Sequence, residues 1–367
     1  MVSEVEGRVL LPDGRLVSGA LSIRDGSIAR FTERSAPDRL VLPGFIDVHV
    51  HGGAGHDTMD GEDGVLGLAR FHARHGTTAL CPTTVTSDEE LLARALRGVA
   101  AAQKKAPRGC ARVLGAHLEG PFISEKKLGA QPRRARLPDL GLLDRLLGAG
   151  PVALVTLAPE LEGALSLVER VVSLGIRASL GHSACDFAAG ARAYERGAKG
   201  ATHLFNAMSG LDHRNPGLAA AALEAEGAYL ELILDGQHVH EAMFQLALRA
   251  ARGKLMLVTD AIRAAGLGDG DAELGGQRVV VRGGRATLED GTLAGSVLTL
   301  DRAFANAVKA GVPVERAALL LSQNPADYLG RTDIGRLASG ARADIIILRD
   351  DLTIDRVLVG ADAVDRD

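Results

Sequence analysis

Six side chains of metal-ligand type close apolar, strand-like runs along this 367-residue chain. They are His49 and His51 in GFIDVHVHG, Glu119 in RVLGAHLEG, His182 in RASLGHS, His203 in GATHLFNAM and Asp260 in KLMLVTDA. Successive side chains of a strand point to opposite faces, so His49 and His51 share one face while Val48 and Val50 share the other. Taken singly, each has a plain reading: a His-x-His pair as buried polar structure, His182 as a hydrogen-bonded core histidine, Asp260 as a cap. Six together point to a metal centre. Four imidazoles and two carboxylates suit a divalent transition ion, zinc first and iron or manganese after it, rather than calcium, which takes oxygen ligands. The set accommodates one or two ions per subunit, with Glu119 long enough to bridge. A bound divalent cation brings the pKa of a water molecule down toward neutrality. Asp260 is placed to take that water's proton and later give it to a leaving group, which describes metal-assisted hydrolysis.

The elements that must position these residues follow from the texture of the chain. Five of the runs already named, with TTALCPTT, VALVTLAPE and YLELILDGQH, make eight, separated by stretches of helical periodicity such as SDEELLARALRGVAAAQKK. Alternation of this kind predicts an α/β fold, a (β/α)8 TIM-type barrel over residues 44–330, with chemistry where strands meet the following loops. A doubly wound open sheet competes, but the first strand-to-helix loop carries no G-x-G-x-x-G fingerprint. GQRVVVRGGRATLEDGTLAGS reads as a hairpin inserted before a last barrel helix near residues 298–310. The two ends share Asp-Gly turns and short apolar stretches, which predicts one small β-sandwich domain built from residues 1–43 and 331–367.

Hydrophobic residues make up 46% and charged residues 24%, so a sizeable core is available and disorder is not indicated. A formal net charge of −4 without a sustained basic stripe implies neither a nucleic-acid nor a membrane partner. The cluster Arg133, Arg134 and Arg136 reads as a solvated loop. Three scattered cysteines, Cys81, Cys110 and Cys185, suit a reducing compartment, and the lack of a leader or a long apolar span makes a cytoplasmic location the expectation. Among the other histidines, His117 shares a strand face with Glu119 and is expected to support the centre from behind. His72 and His75 are expected on a helix surface, and His56, His213 and His240 carry no assignment.

Taken in order over residues 41–300, PGFIDVHVHG, HLEGPF, GHS, THLFNAM, HRNPG, DGQHV, VTDA and TLAGS resemble the N-acetylglucosamine-6-phosphate deacetylase family of the amidohydrolase superfamily. HLEGPF with HLFNAM is specific to that family, whereas PGFIDxHxH marks the superfamily. The resemblance implies that Glu119, His182 and His203 ligate metal and that Asp260 is the catalytic acid/base at that metal. His49 and His51 are the first-strand pair that some members keep for a second ion. It implies that Ala130, Asn206, Ala207, Arg214, His238, Leu293, Ala294 and Gly295 bind a small-molecule sugar phosphate, in a homodimer with phosphate contacts near the subunit boundary. The implied reaction is hydrolysis of the acetamide of N-acetyl-D-glucosamine 6-phosphate to D-glucosamine 6-phosphate and acetate, in amino-sugar catabolism or recycling. One substrate-side position departs: Gln131 stands where the family typically has a histidine, and an amide can donate a hydrogen bond but carries no charge. Two alternatives remain open at this point. Another amidohydrolase would share the fold and metal set, although VALVTLAPE offers no strand-four lysine to bridge two ions. A non-catalytic sugar-phosphate sensor would bind without turnover.

Overall fold

The structure is a computed structural model and describes residues 2–366. Asp25 and Gly26, with φ of 50° and 75°, close a two-residue hairpin between the strands Leu16–Arg24 and Ser27–Glu33. Positive φ at both central positions is what such a turn requires. These strands join Val2–Leu10, Leu40–Pro43 and the C-terminal strands Ile345–Leu348, Ile354–Val359 and Asp362–Ala363 in one seven-stranded sheet. Leu40–Pro43 is the joint, parallel to Val2–Leu10 and antiparallel to Ile345–Leu348. Ile345 and Ile347 pack with Val5, Val9, Leu21 and Val41, whereas Ile346 and Leu348 enter the larger core. A strand buried on both faces reads as an unbroken apolar run, as IIIL does.

Each of the eight expected runs contains a parallel strand: β1 (Phe45–Val50), β2 (Thr77–Pro82), β3 (Ala116–Glu119), β4 (Val152–Leu157), β5 (Arg177–Leu180), β6 (Gly200–Ala201), β7 (Tyr229–Ile233) and β8 (Lys254–Val258). Strands β1 and β2, with the short Arg112–Val113, form one parallel sheet, and β3 to β8 form a second in sequence order. The two meet at both ends. Thr84 N–H donates to the His117 carbonyl at 3.0 Å, and Asp260 N–H to the His49 carbonyl at 2.8 Å. Helices α1 (Glu62–Arg74), α2 (Glu89–Lys105), α3 (Leu140–Ala149), α4 (Ala164–Ser173), α5 (Phe187–Glu195), α6 (Leu218–Glu224), α7 (Glu241–Ala250) and α8 (Leu300–Lys309) alternate with the strands. In α2, Leu92, Ala95, Leu96, Val99 and Ala102 form the buried stripe, with acidic residues in the first turn and lysines in the last, matching the helix dipole.

Three details differ from the sequence reading. RVLGAHLEG is interrupted, because Gly115 takes φ 123° between Arg112–Val113 and β3. The insertion after β8 is a three-stranded antiparallel sheet, Gly270–Leu274, Gln277–Arg282 and Arg285–Thr287. Its first strand was hidden in sequence because GDAEL is largely exposed and has no apolar face to signal it. His72 is a correction: it is fully buried at the end of α1, with Nε2 2.9 Å from the Gly52 carbonyl. A Cβ on Gly53 would come within 3.0 Å of that nitrogen, so the HGG turn is what lets the helix approach. His75 is half-buried against Asp301. Cys81, Cys110 and Cys185 are free and buried. Among the described residues no helix is long and apolar enough to cross a membrane.

Candidate active site

The six ligand-type residues converge at one end of the parallel strands. His49 lies inside β1, His51 just beyond it, and Glu119 is the last residue of β3. His182, His203 and Asp260 each stand two residues past the ends of β5, β6 and β8, and each has a left-handed backbone, φ 46°, 33° and 49°. That conformation is uncommon outside glycine and is concentrated at functional sites. Glu119 is the hub. Its Oε1 lies 3.0 Å from His182 Nε2, 3.2 Å from His203 Nε2 and 3.5 Å from His49 Nε2, and its Oε2 lies 3.3 Å from His51 Nε2. Asp260 Oδ1 is 3.1 Å from His51 Nε2 and 3.4 Å from His49 Nε2.

Hydrogen bonds behind three of the imidazoles settle which nitrogen faces the cluster. His49 Nδ1 is 2.9 Å from Glu231 Oε2, His51 Nδ1 is 3.2 Å from the Thr83 carbonyl, and His182 Nδ1 is 2.9 Å from the Lys127 carbonyl. Such partners only accept, so each Nδ1 carries hydrogen and each Nε2 is the nitrogen turned to the cluster, able to offer its lone pair to a cation that displaces any proton there. His49 Nε2 is buried without a hydrogen-bond partner, and the Nε2 atoms of His182 and His203 approach to 3.1 Å. Converging lone pairs around two carboxylates fit a divalent transition cation, held by Glu119 with His182 and His203, or by Glu119 with His49 and His51.

Electrostatics agree. Burial would push His49 and His51 down, but Glu119 and Asp260 outweigh it and raise both, His51 to about 9. Burial likewise opposes ionisation of Asp260, yet His49 and His51 bring it to about 2. The cluster thus attracts positive charge, as protons or as a cation. His117 differs: burial, reinforced by His49, holds it well below its ordinary value, so it is neutral. Its Nδ1–H donates to the Val48 carbonyl at 3.0 Å, which leaves Nε2 to accept from Thr156 Oγ1 at 2.7 Å. A chain of hydroxyls, Thr156, Thr202 and Ser179, continues that bond at 2.7 Å spacings.

A cleft of about 220 Å³ opens over the cluster. His51, Glu119, Ala130, Gln131, His182, His203, Asn206, Ala207, His238, Asp260, Leu293 and Gly295 line it. Ala294 is fully buried just behind that wall. Arg214 is not brought in: it lies on an exposed loop, its backbone N–H 2.9 Å from Asp212 Oδ1. His238 donates Nδ1–H to Asp235 at 2.7 Å; burial opposes its protonation, but Asp235 raises its pKa, which suits it to an anion. Gln131 places Nε2 2.6 Å from Glu119 Oε2.

Several contributors were missed in the sequence. Glu231 holds His49 and had a signal, the lone charge in the apolar YLELIL. Asp47 shares the His49 face of β1 and accepts from Thr259 Oγ1 at 2.6 Å, tying β1 to β8; burial pushes its carboxyl up to about 7. Gly129, Leu274 and Thr292 also line the cleft, and Leu274 belongs to the strand that left no apolar signature.

Parallel strands whose C-terminal ends carry His, His, Glu, His, His and Asp define a metal-dependent hydrolase site. The profile of the Amidohydrolase family matches residues 40–364, and the chain belongs to that family. It is 39% identical over 365 residues to the N-acetylgalactosamine-6-phosphate deacetylase of Escherichia coli O157:H7, covering 96% of each. It is also 39% identical to the N-acetylglucosamine-6-phosphate deacetylase of Bacillus subtilis (strain 168), covering 92% of this chain and 90% of that one. Among solved structures, a mutant N-acetyl-D-glucosamine-6-phosphate deacetylase from Mycobacterium smegmatis, in complex with N-acetyl-D-glucosamine-6-phosphate, superposes with a TM-score of 0.93. That match has 34% identity and covers 99% of both chains.

Proposed function

We propose that this chain hydrolyses the acetamide of N-acetyl-D-glucosamine 6-phosphate, releasing acetate and D-glucosamine 6-phosphate, in amino-sugar catabolism or recycling. One observation carries the reading: inward-facing imidazole nitrogens surround Glu119 and Asp260 at the floor of a cleft walled by Asn206, Ala207, His238 and Leu293. Glu119, His182 and His203 would hold one divalent ion, and His49 and His51, with Glu119 shared and Asp260 beside them, would provide for a second; zinc suits this donor set best, before iron and manganese. When bound, the cation acidifies water and polarises the amide carbonyl. Asp260, ionised at neutral pH, takes a proton from the attacking water and passes it to the departing amine. Asn206 turns Nδ2 toward the His203 and Leu204 carbonyls, each at 3.3 Å, which leaves its oxygen for a sugar hydroxyl. His238 binds the phosphate, and Ala130, Gln131, Ala207 and the turn Leu293, Ala294 and Gly295 complete the substrate wall.

Arg214 lies outside the cleft of its own chain, so we assign its phosphate contact to a homodimer, across the subunit boundary. We assign the two parallel sheets to a closed (β/α)8 TIM-type barrel over 44–330, and the described residues up to 43 and from 331 to a small β-sandwich domain in which the one seven-stranded sheet folds over its own core of Val5, Val9, Leu21, Val41, Ile345 and Ile347. We assign the protein to the cytoplasm.

Acetate release by purified protein with zinc, iron or manganese tests the reaction, and no release from the phosphorylated sugar under any of them refutes it. Arg214→Ala should raise KM about tenfold with kcat retained. The 4-epimer, N-acetylgalactosamine 6-phosphate, is a second reading because the Escherichia coli relative is as similar as the Bacillus one. The ratio of kcat/KM for the two epimers decides between them.

A further inference from the structure

We infer that Gln131 is a positioning residue for Glu119, one that commits this carboxylate to the His182–His203 side of the centre. The inference rests on the metal reading above. Gln131 is buried beside the cluster, with Nε2 2.6 Å from Glu119 Oε2 and Oε1 accepting from Thr86 N–H at 2.8 Å. The second bond fixes the orientation of the first. Reversing the amide would set its NH2 against the Thr86 N–H and its oxygen against a carboxylate, two repulsive contacts in place of two attractive ones.

Glu119 therefore has two unlike oxygens. Oε1 faces His182 and His203 Nε2 at 3.0 and 3.2 Å. Oε2 is held by the amide and faces His51 Nε2 at 3.3 Å. A donor on Oε2 draws charge from the oxygen that a cation between His49 and His51 would use, and it stops the carboxylate from rotating. The His182–His203 side is thereby the stronger site and the His49–His51 side the weaker. This role also removes one amide N–H from any bond to the substrate carbonyl.

The test is titration of metal-free protein with Co2+, followed by its d–d absorption, and with Zn2+ against a chelating indicator. Wild type should show a tighter and a weaker class of ion. Gln131→Met keeps the length and removes the hydrogen bonds, and should weaken the tighter class about 10- to 100-fold, the usual cost of losing a ligand's outer partner. Gln131→Glu keeps an acceptor for the Thr86 N–H and the shape of the side chain, and is the second variant should Met disturb the fold. It sets a second anionic oxygen beside Oε2 and should strengthen the weaker class at least tenfold. Unchanged affinities for both classes in both variants, with an altered kcat, would overturn the inference and make Gln131 a substrate-facing donor. Wild-type protein that binds no divalent ion would bring down the metal reading itself, and this role with it.

Discussion

His49 lies in β1 and His51 one residue past its end, two residues apart on one face of the same extended run, whereas His182 and His203 stand two residues beyond the ends of β5 and β6 on left-handed backbone. The first pair takes its direction from the pleat, and its support is heavy: Glu231 behind His49, the Thr83 carbonyl behind His51, and the neutral His117 ring 4.5 Å from the His49 ring. The second pair takes its direction from a backbone conformation that costs about 1–3 kcal/mol per residue. Contacts from other elements hold it: the Lys127 carbonyl on His182, and Glu231 Oε2 accepting from the His203 N–H at 3.3 Å. One pair is an outcome of strand geometry and the other of tertiary closure, yet both meet at the single carboxylate of Glu119.

The largest expected effect falls where the pairs do not differ. Asp260→Asn removes the proton carrier for both and should lower kcat about 10³- to 10⁴-fold while calorimetry still detects sugar-phosphate binding. A variant with near wild-type turnover would contradict the role. Next, replacing His49 and His51 together by alanine separates the pairs. Metal per chain should fall while some activity remains, and complete loss of the remaining metal would show that the strand-borne pair is the primary site. Glu231→Gln probes the support instead of the ligand, and about a tenfold loss of metal affinity is expected, confined to the ion nearer His49. An equal loss at both ions would mean that the His203 N–H contact matters as much.

The last effect leaves turnover and metal untouched and concerns stability beside the first pair. Burial holds His72 at about 4 against an ordinary 6.5. The unfolded chain therefore takes up a proton as pH falls below 6.5, while the folded chain takes one up only near 4. Stability should fall across that window, by about 3 kcal/mol in full. His72→Gln keeps a donor for the Gly52 carbonyl and should flatten the decline. Urea midpoints of both proteins at pH 7 and pH 4.5 measure the difference, and parallel declines would refute it.

All six residues of the cluster were legible in sequence because each closes an apolar run, and in parallel α/β folds such ends share one rim. The support was only partly legible. His117 shows through its spacing to Glu119, and Glu231 leaves only a lone charge in YLELIL, a signal too slight to assign a role. His72 was misjudged because RFHARH looks polar, whereas the glycines after His51 let the helix end come close enough to bury it. The pairing of Gln131 with Glu119 and Thr86 was invisible, since loop 125–134 folds back onto β3 without any periodic signal.

Residue type and period by themselves determined the alternation of strands and helices, the rim position of the ligand candidates and the shared face of His49 and His51. These are local consequences of side-chain direction and burial. Tertiary structure alone decided which imidazole nitrogen faces inward, which oxygen of Glu119 meets which histidine, and that Arg214 lies outside its own chain's cleft. Each of those depends on a hydrogen-bond partner or a loop path contributed by a residue far away in the chain, and nothing in the local pattern encodes it.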